Sequence, residues 1–399
     1  MAGGQPVRPS LLVFGVPLIG EEEIAEVVDT LRSGWIGFGP KSIRLEKEFA
    51  EYVGCRNAIS LSSCTAGLQL ALVVAGIGPG DEVITTPLTF AATVNAIELA
   101  GAKPVLVDVD RATQNIDCDQ VDAAITPRTR AILPVHMAGR SCDMDRISDT
   151  AERHGLTVVE DAAHAVEAVY RGRKVGNIST MTVFSFYATK TMTTAEGGML
   201  TTDDDDLAER LRILRLHGLS ADAWARYKGV GSRQYEVIEP GFKYNFTDLQ
   251  ASLGLHQLAR LESNLAARDT QWEAYNQAFA DVEGLECPAP TPPGDIHARH
   301  LYTLLIDPEV IGADRNLFIE ALWSENISVG IHFNPVHLHS YYSERYGYRA
   351  GMFPNAEEIG SRTVSLPLSA GLSKCDVDDV IAAVRKVSGA LCTVSDAFA

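Results

Sequence analysis

Positive charge is scarce in this sequence: 34 lysines and arginines stand against 52 aspartates and glutamates, for a formal net charge of −18. Such a surface repels nucleic acid and anionic membranes, so neither is expected as a partner, although a local basic pocket for a phosphate stays open. Long apolar runs are also missing. None reaches the roughly 18 residues that a membrane-spanning helix needs. The first residues lack the basic-then-apolar layout of a secretory leader, and a cytoplasmic location is expected. The seven cysteines, Cys55, Cys64, Cys118, Cys142, Cys287, Cys375 and Cys392, are an odd and scattered set without a C-x-x-C pair. They read as reduced thiols, neither a disulfide framework nor a zinc site. No internal repeat occurs. The one low-complexity feature, the acidic run at 203–206, reads as a helix start stabilised by negative charge rather than as a metal site.

What is present is a chain of 399 residues, 46% hydrophobic and 22% charged, with ample material for a large core and a second, smaller domain. From Asn57 to Leu200, short β-branched runs alternate with helical stretches, the pattern of an α/β fold whose mostly parallel sheet is covered by helices. The expected strands are AISLS, EVITT, PVLVDV, RAILPV, TVVE, TVFSF and GGMLTT. Helices are expected in TAGLQLALVVAG, stopping at Gly76, and in FAATVNAIELAG, stopping at Gly101. One helix is expected from Thr247, its N-cap, to about Ala267. The Pro-rich stretch CPAPTPPGD then breaks the pattern. Beyond it, LYTLLID reads as a strand, RNLFIEALWSEN as a helix and ISVGIHF as a strand, which suggests a small C-terminal α+β domain. The division is placed at 1–265 for the large domain and 266–399 for the small one.

Functional loops of such a sheet lie at the carboxyl ends of its strands. Two residues there combine into a chemistry. Lys190 sits just past TVFSF, and Asp161 ends the strand TVVE; neighbouring strand ends can deliver this amine and this carboxylate to one pocket. Pyridoxal 5′-phosphate (PLP) needs such a pair: an amine to hold the cofactor and shuttle a proton, and a carboxylate to keep the pyridine nitrogen protonated. Asp161 also reads as the N-cap of the Ala-rich stretch that follows, and the two roles are compatible. SSCTAGLQLAL is a small-residue turn entering a helix, where the amides of Thr65 and Ala66 form an anion site. Ser185, polar among Val183, Phe184 and Phe186, either points at the same phosphate or is the outward residue of a strand. Phe90, at a strand-to-helix junction, either stacks on the pyridine ring or packs in the core.

SGWIGFGPK, SSCTAGLQLAL, PLTFAATVNAIELAGAKPVLVDVD, VVEDAAHA, SFYATKTMTTAEGGML, RLHG and GFKYNFTDLQASLG resemble, in order, the motifs of the DegT-type nucleotide-sugar aminotransferases. The likeness runs from Pro17 to Val384. It implies the fold type I architecture of PLP-dependent transferases, with Lys190 as the Schiff-base lysine, Asp161 as partner of the pyridine nitrogen and Phe90 as the stacking aromatic. It further implies His164 near the cofactor's phenolic oxygen and Thr65, Ala66 and Ser185 around the phosphate. The family is dimeric, and the segment GFKYNF reaches the neighbouring subunit's site. There Asn245 is the implied phosphate contact, with Lys243 as the alternative. By the same resemblance Trp35 and Ile36 line the substrate cleft and Glu196 and His217 lie near it, although the first two also read as packing and the last two as exposed polar residues.

The segment GIHFNPVHLHSYYSERYG is similar to the subgroup that aminates C4 of UDP-linked 4-keto sugars, with His332 set to hydrogen-bond the sugar or a phosphate. His337 and His339 read as members of a polar loop; H-x4-H-x-H lacks a helical i, i+4 pair and neighbouring carboxylates, so no metal is expected. The resemblance implies glutamate and 2-oxoglutarate as donor pair and a nucleotide-linked ketosugar as acceptor. Both are acidic, which calls for a locally positive cleft using Lys243 and arginines. Amination at C3 is the alternative regiochemistry. A PLP-dependent sugar dehydratase is disfavoured because those relatives carry histidine where Lys190 stands, and a non-catalytic binder would need neither Lys190 nor Asp161.

Overall fold

The computed structural model describes residues 4–220 and 236–398, with side chains as far as residue 392. Seven strands form the central sheet: β1 (Asn57–Leu61), β2 (Glu82–Thr85), β3 (Lys103–Leu106), β4 (Thr129–Ile132), β5 (Thr157–Asp161), β8 (Met181–Ser185) and β9 (Gly198–Thr202), with the short hairpin β6 (Val169–Tyr170) and β7 (Arg173–Lys174) between β5 and β8. Their order is β1-β9-β8-β5-β4-β2-β3. Only β9 opposes its neighbours, being antiparallel to both β1 and β8; the other adjacent pairs are parallel. Helices cover both faces, so β5, β8 and β9 bury nearly every residue and read as continuous apolar runs rather than alternating ones.

All seven expected strands are present, as are the helices Cys64–Val74 and Ala91–Leu99, which end before Gly76 and Gly101 in left-handed conformation. The first lies tightly on the sheet. A Cβ at Gly67 would sit 2.5 Å from Val183, so glycine there sets how closely helix and strand approach. The acidic run starts the helix Asp205–Leu214, with Asp204 accepting from the N–H groups of Asp206 and Leu207.

A second apolar cluster surrounds an antiparallel sheet of β10 (Leu285–Glu286), β11 (Tyr302–Ile306) and β12 (Thr363–Leu366). Trp272, Tyr275, Tyr302 and Phe318 fill it beneath the helices Leu261–Phe279, Arg315–Ser324 and Lys374–Phe398. The helix Leu261–Phe279 passes unbroken through position 265, where the sequence places the change of domain.

Three expectations change. The single helix from Thr247 is two, Asp248–Ala259 and Leu261–Phe279, because Arg260 leaves helical geometry (φ −105°, ψ 2°) with its guanidinium paired to Glu23. Thr247 does cap the first, accepting from the N–H of Gln250. ISVGIHF is extended but forms no regular strand: Ser328 pairs with Leu12 and, two residues on, Gly330 pairs with Ser365, so no ladder continues. His337 is not a polar-loop residue. It is fully buried, with Nε2 2.9 Å from Glu357.

Candidate active site

The carboxyl ends of β1, β2, β5 and β8, together with the start of the antiparallel β9, open into one cavity of about 530 Å³. Leu61, Gly198 and Ser185 form a row across β1, β9 and β8 at its floor. Gly198 is required there: a Cβ would lie 2.7 Å from the Cys64 nitrogen, at the start of the helix Cys64–Val74. Ser63, Cys64 and Thr65 turn that helix start into the cavity. Ser63 caps it by accepting from the Ala66 N–H at 3.1 Å, so that amide is already engaged. The N–H groups of Cys64 and Thr65 have no partner in a preceding turn and, with the positive end of the helix, suit an anion.

Lys190 and Asp161 both line this cavity. Asp161 is buried; Oδ2 accepts from the Thr93 hydroxyl at 2.8 Å and Oδ1 from the Ala163 N–H at 3.1 Å. Burial raises its pKa, with those two bonds and the positive Lys190 acting against the rise. The Lys190 amine is brought down to about 8, chiefly by desolvation, while Cys64 and Asp161 oppose the change. Phe90 is the N-cap of the helix Ala91–Leu99 and stands 64% exposed at the cavity mouth, its ring 6.0 Å from that of Phe333. It is therefore available to a ligand rather than spent in the core.

His164 is buried in the wall with Nδ1 unpartnered, an orphan polar atom of a kind that costs free energy unless something bonds it. Its ring is 4.6 Å from His300 and stacked 6.0 Å from Phe333. Burial holds both imidazoles well below the ordinary histidine pKa, and keeps His332 at about 4, with the positive Lys190 adding to each. Nδ1 of His332 meets the Ser365 hydroxyl at 2.8 Å. These residues fit PLP: an amine, a buried carboxylate, an unsatisfied imidazole nitrogen, an exposed aromatic and a helix start beside a glycine.

Other expected site residues lie elsewhere on this chain. Ser185 and Glu196 do line the cavity. Trp35 instead donates Nε1 to the Phe38 carbonyl and lines a separate 1160 Å³ cleft, and Ile36 is 53% exposed beside it. His217 and Lys243 are exposed and outside that cavity, and the half-buried Asn245, bridged to Leu61, donates to the Phe246 carbonyl. Lys190 is the only lysine in the cavity wall among the described residues, and no arginine lines it, so the positive cleft expected from Lys243 and arginines is not formed by this chain's own cavity. Sequence reasoning missed Phe14, Cys64, Thr93, His300 and Phe333. Of these Cys64 lay inside the SSCTAGLQLAL turn and Thr93 one helical turn beyond Phe90, and the other three carried no local signal. Among the described residues no group of three or more histidine, cysteine or acidic side chains is arranged for a metal ion.

Residues 17–385 match the sequence profile of the DegT/DnrJ/EryC1/StrS aminotransferase family. The chain belongs to that family. It is 52% identical over 381 residues to the spore coat polysaccharide biosynthesis protein SpsC of Bacillus subtilis, covering 95% of this chain and 98% of SpsC. Among solved structures it is similar to Spr1654 of Streptococcus pneumoniae, a candidate sugar aminotransferase. The form of Spr1654 with pyridoxamine phosphate superposes with a TM-score of 0.90 at 36% identity over 97% of this chain and 100% of that one. Its PLP form gives 0.88. DesI, solved with its TDP-sugar product, has a TM-score of 0.86 at 31% identity over 99% of this chain and 96% of its own. The protein is a PLP-dependent aminotransferase of fold type I.

Proposed function

We propose that the protein moves an amino group from glutamate to the 4-keto carbon of a nucleotide-linked deoxysugar, UDP-linked by preference, in the biosynthesis of an amino sugar or a cell-surface polysaccharide. The observation that carries the reading is the meeting of Lys190 and Asp161 in one cavity beside an exposed aromatic and an orphan imidazole nitrogen. PLP, when bound, supplies the electron sink that makes the donor's α-proton removable. Lys190 holds the cofactor at rest and, once displaced, carries the proton. Burial in the cofactor-free chain brings its amine down to about 8, which favours the neutral, proton-accepting form over that of an ordinary lysine.

Asp161 would hold the ring nitrogen, whose cationic N–H would give its buried charge a partner. Phe90 would stack on the ring, and the unpartnered His164 Nδ1 would bond its phenolic oxygen. Ser185 and the helix start at Cys64 and Thr65 would receive the phosphate, while the Ala66 amide stays with Ser63. His332 and Glu196 bond the sugar from this chain. Trp35, Ile36, His217, Asn245 and Lys243 act on the site of a second copy, and their position outside the Lys190 cavity supports that homodimeric arrangement. The exposed Ile43, in the same cleft as Trp35, and the exposed Ile24, Val28 and Leu31 on the helix Glu21–Ser33 give such a dimer apolar surface to bury. Free thiols at all seven cysteines support a reducing, cytoplasmic location, and among the described residues no helix is long and apolar enough to cross a membrane.

Incubation with glutamate and a panel of UDP-, dTDP- and GDP-4-ketosugars is expected to release 2-oxoglutarate with a UDP-sugar, and NMR of the product to place the amine on C4. Amination at C3 would overturn the regiochemistry, and silence across the panel the substrate class.

A further inference from the structure

Outside the lining of the 530 Å³ cavity, the side chains of Glu167 and Arg268 form an ion pair at 2.5 Å, with 0% and 3% of their surface exposed. A pair this deep adds little stability beyond what apolar side chains of similar shape provide, because desolvation offsets most of its attraction. Its further hydrogen bonds go to two loops. Oε2 of Glu167 accepts from the Thr191 hydroxyl at 2.8 Å. Arg268 donates from Nε to the Arg299 carbonyl at 3.0 Å and from a terminal nitrogen to the Ala298 carbonyl at 3.1 Å. Thr191 follows Lys190 directly, and Arg299 precedes His300. Lys190, Thr191, Arg268 and His300 all border one small cavity of about 30 Å³.

The turn carrying Lys190 is otherwise shaped by short-range bonds, from the Lys190 N–H to the Tyr187 carbonyl and from the Thr194 N–H to the Phe186 carbonyl. Those bonds set its form but not its placement against the rest of the molecule. The Thr191 hydroxyl reaches outside the turn, to a carboxylate locked by a guanidinium on the helix Leu261–Phe279.

We propose that the buried Glu167–Arg268 pair is a positioning device for the reacting amine, acting through Thr191 on the Lys190 turn and through the Ala298 and Arg299 carbonyls on the wall that carries His300. The inference rests on the reading of Lys190 as the amine that holds the cofactor. Neither residue of the pair lines the cavity that holds Lys190 and Asp161. Its effect is to keep the Lys190 turn seated, so that the amine stays shielded from water and within reach of the cavity.

Two measurements separate the inference from the reading beneath it. Borohydride reduction of the holoenzyme followed by peptide mapping is expected to find the cofactor on Lys190; a different lysine would overturn the reading itself. The network is then tested with Thr191→Val, which keeps the shape and removes the hydroxyl, and with Thr191→Ser, which restores it. In the cofactor-free protein, competitive acetylation followed by mass spectrometry reads the titration midpoint of the Lys190 amine. Cys64, Asp161, His164, His300 and His332, which face that amine, stay unchanged in both variants. Loosening the turn admits water, so Thr191→Val is expected to raise the midpoint by about half a pH unit or more and to lower kcat roughly 10–100-fold, with KM for glutamate little changed. Thr191→Ser is expected to return both values to those of the wild type. A Thr191→Val protein with unshifted midpoint and kcat, or one that loses activity with an unshifted midpoint, would overturn the proposal. Arg268→Lys gives a second check: it is expected to show the same upward shift, because a single ammonium cannot hold Glu167 and both carbonyls in the guanidinium's geometry.

Discussion

Asp161 and Lys190 illustrate how burial sets chemistry one residue at a time. Desolvation moves both toward neutrality, raising the acid and lowering the amine to about 8. In the cofactor-free protein, acetylation of Lys190 is therefore expected to titrate near pH 8, about two units below an ordinary lysine; a midpoint near 10 would show that the amine is solvated. Asp161→Asn keeps the shape that meets Thr93 and removes the charge. It is expected to lower kcat by about 10²–10³-fold, the scale of losing one preorganised electrostatic partner, with weaker retention of PLP on dialysis; steady-state kinetics and absorbance check both. His332, at about 4, stays neutral throughout this range, so no limb of the pH–rate profile between 5.5 and 8 is assigned to it. The meeting of Asp161 and Lys190 in one cavity was legible in the sequence because neighbouring strand ends deliver residues to one place. Phe14, His300 and Phe333 were not, since they reach the cavity from segments far along the chain whose local pattern is ordinary.

At the scale of elements, legibility followed periodicity. Seven strands and the helices Cys64–Val74 and Ala91–Leu99 have one apolar pattern each, and the two helices stop just before Gly76 and Gly101, which turn left-handed. The segment 327–333 has the same β-branched composition, yet its hydrogen bonds go to two different partners, a fact of tertiary pairing that composition does not carry. Arg260 likewise is an ordinary helix former, and the break there comes from its pairing with Glu23 on the helix Glu21–Ser33. The contact between β9 and the helix Cys64–Val74 yields a test. Gly198→Ala forces a methyl to within 2.7 Å of the Cys64 nitrogen and to 2.8 Å of the Phe184 carbonyl, both backbone atoms that yield little. An overpacked position of this kind costs about 1–3 kcal/mol. Thermal melting of the cofactor-free protein is expected to fall accordingly, and PLP affinity to fall further, because the displaced helix start is the one that faces the cavity. Equal losses in the two measurements would assign Gly198 to packing alone.

Across the whole molecule, the large sheet and the second cluster are joined by groups that neither possesses alone. The helix Pro354–Arg362 begins at Phe353, which supplies no capping side chain. Asp108, just past the end of β3, provides the cap from 247 residues away, its two oxygens accepting from the N–H groups of Asn355 and Ala356 at 2.9 Å each. Beside it Arg111 forks onto Glu286, on β10, and onto Glu358, on the capped helix. A sequence read locally sees VDVD as a strand end and PNAEEIG as a helix start and has no means of joining them. The ion pairs of Arg111 are more than a third exposed, so screening leaves them a small share of the coupling. Asp108 is buried, and its loss strands helix N–H groups away from water. Asp108→Ala is expected to cost about 2 kcal/mol, at the upper end for a lost cap because the site is buried. Calorimetry is expected to show the second cluster melting ahead of the central sheet, as an early shoulder. A single transition at the wild-type temperature would mean that the cap contributes nothing to holding the two parts together.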